Sequence, residues 1–442
     1  MSKKVIIIGG GIAGLSAGVF LSREGYNITI LEQTNKLGGR LFSYYDKNLN
    51  TYLDNGQHIL AGWYKDTFDF LNEIGTFEKL KIKENFKVTL LDKFLRYYNF
   101  ETSETRNKKL NIIRGILNYK PFKLSDKIAF LKLLFSVNKK NFPYKDSSLK
   151  EILDSFKFSG SAMKFFWEPF SLAVFNTISE LISVSYFRQI IEESFINNIG
   201  LIIPETDLKN LFIDNAERYF IDNNVKVIKS KKIHNINVEN QLISSIETED
   251  KEYFDADLYI SAIPHNIFKS LFCVGNLTEY FKSIHLKSSS IISINLVFKT
   301  ELPYFEYLNQ DSPMLGLIDS TIQWVFWKSK KCLSLIISGV DYIDELKSIS
   351  NEKLFDNAIV DLKRFNPSLK KSDIENYKII KEKNATFVPD IQSLLNRPDV
   401  KTEIENLFLA GDWVNTGLPS TIESAIRSAR MCREAVMNES SI

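Results

Sequence analysis

Three short stretches pair residue types with spacings that can do chemistry. In Gly9-Gly10-Gly11-Ile12-Ala13-Gly14, the glycines at 9, 11 and 14 keep a G-x-G-x-x-G spacing. Such glycines let a chain turn sharply, let a pyrophosphate approach the backbone, and let a helix pack closely on a strand. The phosphates then sit on the free N–H groups at the helix start, beside Ala13. Glu32, eighteen positions beyond Gly14, is the second feature. An acid there can accept from both ribose hydroxyls of an adenosine and would repel a 2′-phosphate, which disfavours NADP. The third lies near the C-terminus, where Gly411-Asp412 is followed by Thr421-Ile422-Glu423. A helix starting there would aim free N–H groups at the place where negative charge collects on a reduced ring system.

These residues need particular elements to hold them. Val5 to Ile8 is an unbroken apolar run that suits a strand covered on both faces of a parallel sheet. Ala13 to Glu24 is rich in small and aliphatic residues at helical intervals, Gly25-Tyr26-Asn27 closes it, and Ile28 to Leu31 makes a second strand ending at Glu32. Leu407 to Ala410 reads as a buried strand, followed by a loop and a helix from Pro419 or Ser420 with Glu423 as its N3 partner.

Gly38-Gly39-Arg40 separates the candidate dinucleotides. An x-G-G-R stretch soon after the second strand resembles the flavoproteins of the amine oxidase and phytoene desaturase superfamily. The resemblance implies FAD, with Arg40 near its phosphates and Gly39 under the flavin. Asn55-Gly56-Gln57-His58, with Gly62 and Tyr64, is similar to one branch, the plant-type phytoene and zeta-carotene desaturases and the bacterial hydroxysqualene dehydroxylases. Asp54-Asn55-Gly56-Gln57-His58 looks most like the last group. So do Trp167-x-Pro169 with Ala173 and Asn176, and Gly417-Leu418-Pro419-x-Thr421-Ile422-Glu423-x-Ala425. By the same resemblance Gly56 and Gln57 lie near the flavin, Val227 meets the adenine through its backbone, and the strand Asp257 to Pro264 passes beside the cofactor. His58 is the candidate acid that assists a departing hydroxyl, although a lone histidine is also commonly a structural residue.

Between the two ends the pattern changes. Residues 75 to about 200 lose the α/β alternation, with short strands in Lys79 to Phe100 and helices over Leu110 to Leu117, Ser125 to Val137 and Ser148 to Phe156. From 106 to 140 ten Lys or Arg face a single acid, Asp126, among many Ile, Leu and Phe. Two readings stand for this stretch: a peripheral contact with a lipid surface, and a solvated Lys-rich helix. The α/β character returns from Ile203 with a helix over Asp207 to Asn223, and then strands at Val225 to Ile228, Ile233 to Asn237, Gln241 to Thr248 and Phe254 to Pro264. Beyond His265 come strands over Ser290 to Phe298, Gln323 to Trp327 and Cys332 to Ser338, and helices over Ile343 to Ser348 and Asn351 to Phe365.

With 442 residues the chain is too long for one compact domain. The expected architecture is α/β: an FAD-binding Rossmann-like (GR2-type) domain made of 1–75, 203–265 and 399–442, with an inserted α+β substrate domain of 76–202 and 266–398. A formal charge of +2 makes no case for nucleic acid, and no metal site is read. Cys273, Cys332 and Cys432 lie far apart and fit a reducing compartment. The first strand begins at Val5 and no apolar run approaches eighteen residues, so the expected place is the cytoplasm, free or on the inner face of the membrane. The 33 Phe could pack a core or line a tunnel for a long polyunsaturated isoprenoid. The resemblance implies reduction of hydroxysqualene to squalene in bacterial hopanoid or squalene synthesis. Its rivals are a carotenoid desaturase and an FAD-binding membrane-associated partner without turnover.

Overall fold

Because Val5 to Ile8 must be covered on both faces, Lys4–Ile8 becomes the central strand of a five-stranded parallel sheet. The order is Leu407–Leu409, Leu258–Ser261, Lys4–Ile8, Asn27–Leu31, Lys226–Ile228. Ile7 stands opposite Ile30 on one side and Ile260 on the other, so the middle of the sheet is wholly apolar. The computed structural model describes residues 2–440 apart from 48–50, 82–85, 103–107, 138–146, 197–199, 205, 273–276, 282–283, 303–307 and 310–311. Cys273 and both ends of the basic stretch 106–140 therefore lie outside the described residues; Cys332 and Cys432 are buried and free.

Helix α1 (Ile12–Ser22) follows the first strand directly and is buried along nearly its whole length, from Ala13 to Leu21. It is sandwiched between the sheet, α2 (Lys65–Glu73) and the C-terminal helix Ile422–Ser440, which explains why it has no polar face. All five strands fall within 1–75, 203–265 and 399–442.

A second sheet of seven strands is drawn wholly from 76–202 and 266–398, in the order Ile374–Phe387, Ser288–Phe298, Cys332–Ile337, Trp324–Ser329, Met314–Leu317, Lys87–Leu91, Tyr97–Glu101. Neighbours are antiparallel except Met314–Leu317 and Lys87–Leu91, which are parallel. The strand period of two divides its side chains. Leu91, Leu315, Val325, Leu335 and Ile337 pack on helix Asn351–Phe365, whereas Leu90, Met314, Trp324, Phe326 and Ile336 face the opposite way, into a cavity.

Helices α3 (Lys108–Asn118) and α4 (Leu124–Val137) and the aromatic segment Gly160–Phe175 complete the wall of that cavity. The aromatic segment is continuous but irregular: Met163–Trp167 forms a wider π turn just ahead of Pro169. Pro169 has no N–H to return to the Phe165 carbonyl four residues back. The buried Tyr119 hydroxyl donates to that carbonyl instead, at 2.6 Å.

Two expectations are corrected here. Ile343 to Ser348 is not a helix but a pair of short 3₁₀ turns, Val340–Tyr342 and Asp344–Leu346. Ile374–Phe387, read as no element, is a fourteen-residue strand at the sheet edge.

Candidate active site

The nucleotide end is built from backbone. Gly9 has φ of +106°, which turns the chain out of the first strand, and its N–H donates to the Leu31 carbonyl at 2.8 Å. A Cβ on Gly14 would lie 2.0 Å from the Gly9 carbonyl oxygen, so only glycine lets α1 sit this close to the strand. Gly11 is the N-cap of α1, without a side-chain cap and with no acid in the first turn. Gly38 crosses above it, donating to the Gly10 carbonyl at 2.8 Å. Buried Glu32 is fixed from two sides: Oε2 accepts from the Gly10 N–H and Oε1 from the Thr34 N–H, each at 2.8 Å.

Next along the cavity, Arg40 pairs with Asp412 and donates to the Ala385 carbonyl at 2.8 Å. Burial works against the Asp412 charge, but Arg40 and a hydrogen bond from Ser420 outweigh it and hold its pKa below the usual value. Asp412 is therefore engaged by protein donors on both oxygens, and its effect is to orient Arg40. A residue that sequence reasoning missed shapes the same loop. The guanidinium of buried Arg397 donates to the carbonyls of Asp412 (3.0 Å), Trp413 (3.2 Å), Val414 and Leu418 (2.7 Å), and lies over the Phe387 ring. Nothing in Asn396-Arg397-Pro398-Asp399 announces this role.

The helix after the loop begins at Ile422, not Pro419 or Ser420, with the Thr421 hydroxyl accepting from the Ser424 N–H at 3.0 Å. Glu423 is consequently not the N3 partner of its own helix. Its carboxylate accepts from the N–H groups of Asp66 (3.1 Å) and Thr67 (2.9 Å) and from the Thr67 hydroxyl (2.8 Å), capping α2 from across the interface. Burial, then the neighbouring Asp66 carboxylate, raise its pKa to about 7. Arg427 links Glu423, Asp66 and Glu193 into one network.

At the junction of the two sheets lies the segment Asp54 to His58. Asp54 accepts from Ser43 Oγ (2.6 Å) and the Leu208 N–H (3.2 Å), and pairs with Lys328 Nζ at 2.9 Å. The same ammonium donates to Gln57 Oε1 at 2.9 Å. Lys328, on strand Trp324–Ser329, thus ties the second sheet to this loop, a contact across 274 positions that no local pattern discloses. His58 is beside it on the cavity wall. Its pKa falls to about 4: burial is the main cause, Asp54 pulls the other way, and Lys328 and Arg40 push it further down. The imidazole is therefore held in its neutral form at pH 7.

Glu32, Arg40, Gln57, His58 and Asp412 open onto one continuous cavity of about 1210 Å³, with Asp54, Lys328, Arg397 and Glu423 behind its wall. It runs from Glu32 and Lys231 to His234 past Gly39 and Arg40, then past Gly56 to His58, into a chamber walled by Tyr119, Phe130, Phe166, Phe170, Trp324 and Phe326. Of the residues predicted to hold a cofactor, Gly9, Gly11, Ala13, Glu32, Gly39, Arg40, Gly56, Gln57, Gly411, Asp412, Thr421 and Ile422 line it. Gly14 lies beneath the turn, as its packing role requires. Val227 is not on the wall: it pairs with Ile30 on the edge strand of the sheet, and the chain meets the cavity only after this strand ends, at Lys231. Among the described residues no cluster of three or more His, Cys, Asp or Glu is placed for a metal.

The donor set fits FAD. Uncapped N–H groups at Gly11 to Ala13 and the Arg40 guanidinium suit a pyrophosphate, the Glu32 carboxylate suits a ribose, and buried Asn55 Oδ1 on the wall has no protein donor.

The description of flavin containing amine oxidoreductases matches residues 12–437. Hydroxysqualene dehydroxylase of Zymomonas mobilis subsp. mobilis is 27% identical over 98% of this chain and 99% of its own length. The 15-cis-phytoene desaturase of Glycine max is 23% identical over 99% of this chain and 80% of its own. An oxidoreductase from Methanosarcina mazei superposes with a TM-score of 0.74 at 20% identity, covering 98% of this chain and all of that one.

Proposed function

The chain belongs to the flavin containing amine oxidoreductase family and is an FAD-dependent oxidoreductase, and on that premise we propose that it reduces hydroxysqualene to squalene. The observation that carries this reading is the single cavity in which the dinucleotide cradle opens directly into an aromatic chamber. An isoprenoid alcohol could lie in that chamber with its hydroxyl at the His58 junction. The end-to-end match to hydroxysqualene dehydroxylase supports that substrate over a carotenoid precursor.

The reaction replaces C–O by C–H: the hydroxyl departs with a proton as water and a hydride takes its place. When bound and reduced, FAD supplies that hydride. Solvent supplies the proton that leaves with the hydroxyl, and the chain's own residues position and shield the reacting carbon. Phe130, Phe166 and Phe170 exclude water from the carbon that loses its hydroxyl and offer ring faces to positive charge developing there. Neutral His58 holds the departing hydroxyl through a ring N–H. Thr421 and Ile422 present the start of a helix dipole to the cavity, where it favours negative charge.

The test is to reduce the purified protein without oxygen, add hydroxysqualene and look for squalene. Squalene in stoichiometric amount supports the reading. No squalene, together with desaturation of phytoene by the oxidised protein, would replace it with the carotenoid reading.

A further inference from the structure

We propose that α3 and α4 form a docking face for an anionic phospholipid bilayer, and that the chamber receives its substrate through this face; the inference deepens the isoprenoid reading of the cavity. Helix α4 is apolar on two opposite sides. Inward, Ala129, Phe130, Leu133, Leu134 and Val137 are buried, with Phe130 and Leu134 on the cavity wall. Outward, Leu124, Ile128 and Phe135 are 73%, 46% and 67% exposed, at positions i, i+4 and i+11 of one stripe. On α3, Ile112 lines the cavity while Leu110 and Leu117 are 46% and 45% exposed. Single exposed leucines are ordinary, but a helix with a second apolar stripe opposite its buried one, flanked by lysines, is at home where hydrocarbon covers that stripe.

The charges say which hydrocarbon. Arg114, Lys120, Lys123 and Lys132 are exposed around the stripe. The one acid between 108 and 137, Asp126, is buried and accepts from the Lys123 N–H and from the N–H and hydroxyl of Ser159, each at 2.8 Å. The described outward residues of α3 and α4 therefore offer cations and hydrocarbon without a carboxylate. This suits anionic headgroups above acyl chains. Two copies of the face apposed across a twofold axis would instead set lysine against lysine. No helix among the described residues is long and apolar enough to cross a membrane, so the pair would lie in the interface. The chamber is then one helix diameter, about 10 Å, beneath the lipid-facing stripe.

Flotation of the flavin-loaded, full-length protein tests this. It should rise with vesicles containing phosphatidylglycerol, and far less with phosphatidylcholine alone. Each of Lys123→Gln and Lys132→Gln should weaken the partition about fivefold, and Leu124→Asn/Ile128→Asn/Phe135→Asn should abolish it with flavin absorbance and melting temperature retained. The ratio of squalene formed from vesicle-borne to detergent-dispersed hydroxysqualene should fall with it. The proposal is overturned if the wild type stays with the unbound fraction, if the triple variant floats equally well, or if the triple change converts a dimer to a monomer in light scattering. Flotation that needs the stripe, without squalene in either format, would support docking and remove only the substrate assignment.

Discussion

Lys328 reaches from one sheet to grip the loop that carries His58, and its charge adds to the burial that keeps the imidazole neutral. If neutral His58 is the working form, turnover should be level from pH 5 to 8 and fall only as pH drops through about 4. His58→Ala should cost about a hundredfold or more in turnover at full flavin occupancy. Lys328→Met removes a cation that lowers the His58 pKa, so the acid limb should move to higher pH, whereas Lys328→Arg should restore it; a kcat–pH profile reads both. Glu423 supplies a second titration. Its folded pKa of about 7 lies above the ordinary carboxylic acid value, so the folded state binds the proton more tightly than the unfolded chain. The associated stability is present in acid and lost as pH rises through about 7. Melting temperature should accordingly decline between pH 5 and 8 in the wild type and decline less in Glu423→Gln. At this scale the turn and its neighbouring acid were legible, because Gly9 to Gly14, Glu32 and Gly38-Gly39 are local motifs that meet largely through backbone groups. Lys328 and Arg397 were not, because each acquires its meaning only from distant partners or from carbonyls of a folded loop.

Among elements, the segment Gly160–Phe175 shows how a helix survives an internal proline. The Phe165 carbonyl that Pro169 leaves behind is served by Tyr119 from another part of the chain. Tyr119→Phe should destabilise the protein by about 1–3 kcal/mol, the cost of a buried acceptor left without its donor. In a Pro169→Ala background, where residue 169 regains an N–H, the same change should cost less; a double-mutant thermal denaturation cycle measures the difference. Elements with strong periodicity were legible, among them Ser288–Phe298, Cys332–Ile337 and Asn351–Phe365. Strand Ile374–Phe387 was not, because its Glu, Lys and Asn residues suppress any hydrophobic alternation. Those charges suit its position at the edge, where they discourage pairing with another chain.

For the whole molecule, Gly9 to Ala13, Arg40, Lys231 to His234 and Asp412 to Ile422 come together along one end of the cavity. A group held by four distant pieces of chain should add to stability by mass action, about 4 kcal/mol at a free concentration a thousand times its dissociation constant. Scanning calorimetry of the flavin-stripped and reloaded protein should show that gain. The parallel sheet has a further consequence for how the protein is made. Strand Leu407–Leu409 forms one border of that sheet, alongside Leu258–Ser261, and is the last of its five strands to leave the ribosome. Until it emerges, the flank of Leu258–Ser261 has no neighbour, and Arg40 lacks the counter-charge that aims it. Coenzyme capture is thereby postponed until the residues past 409 have emerged, and nascent chains stalled before residue 400 should remain colourless when flavin is offered.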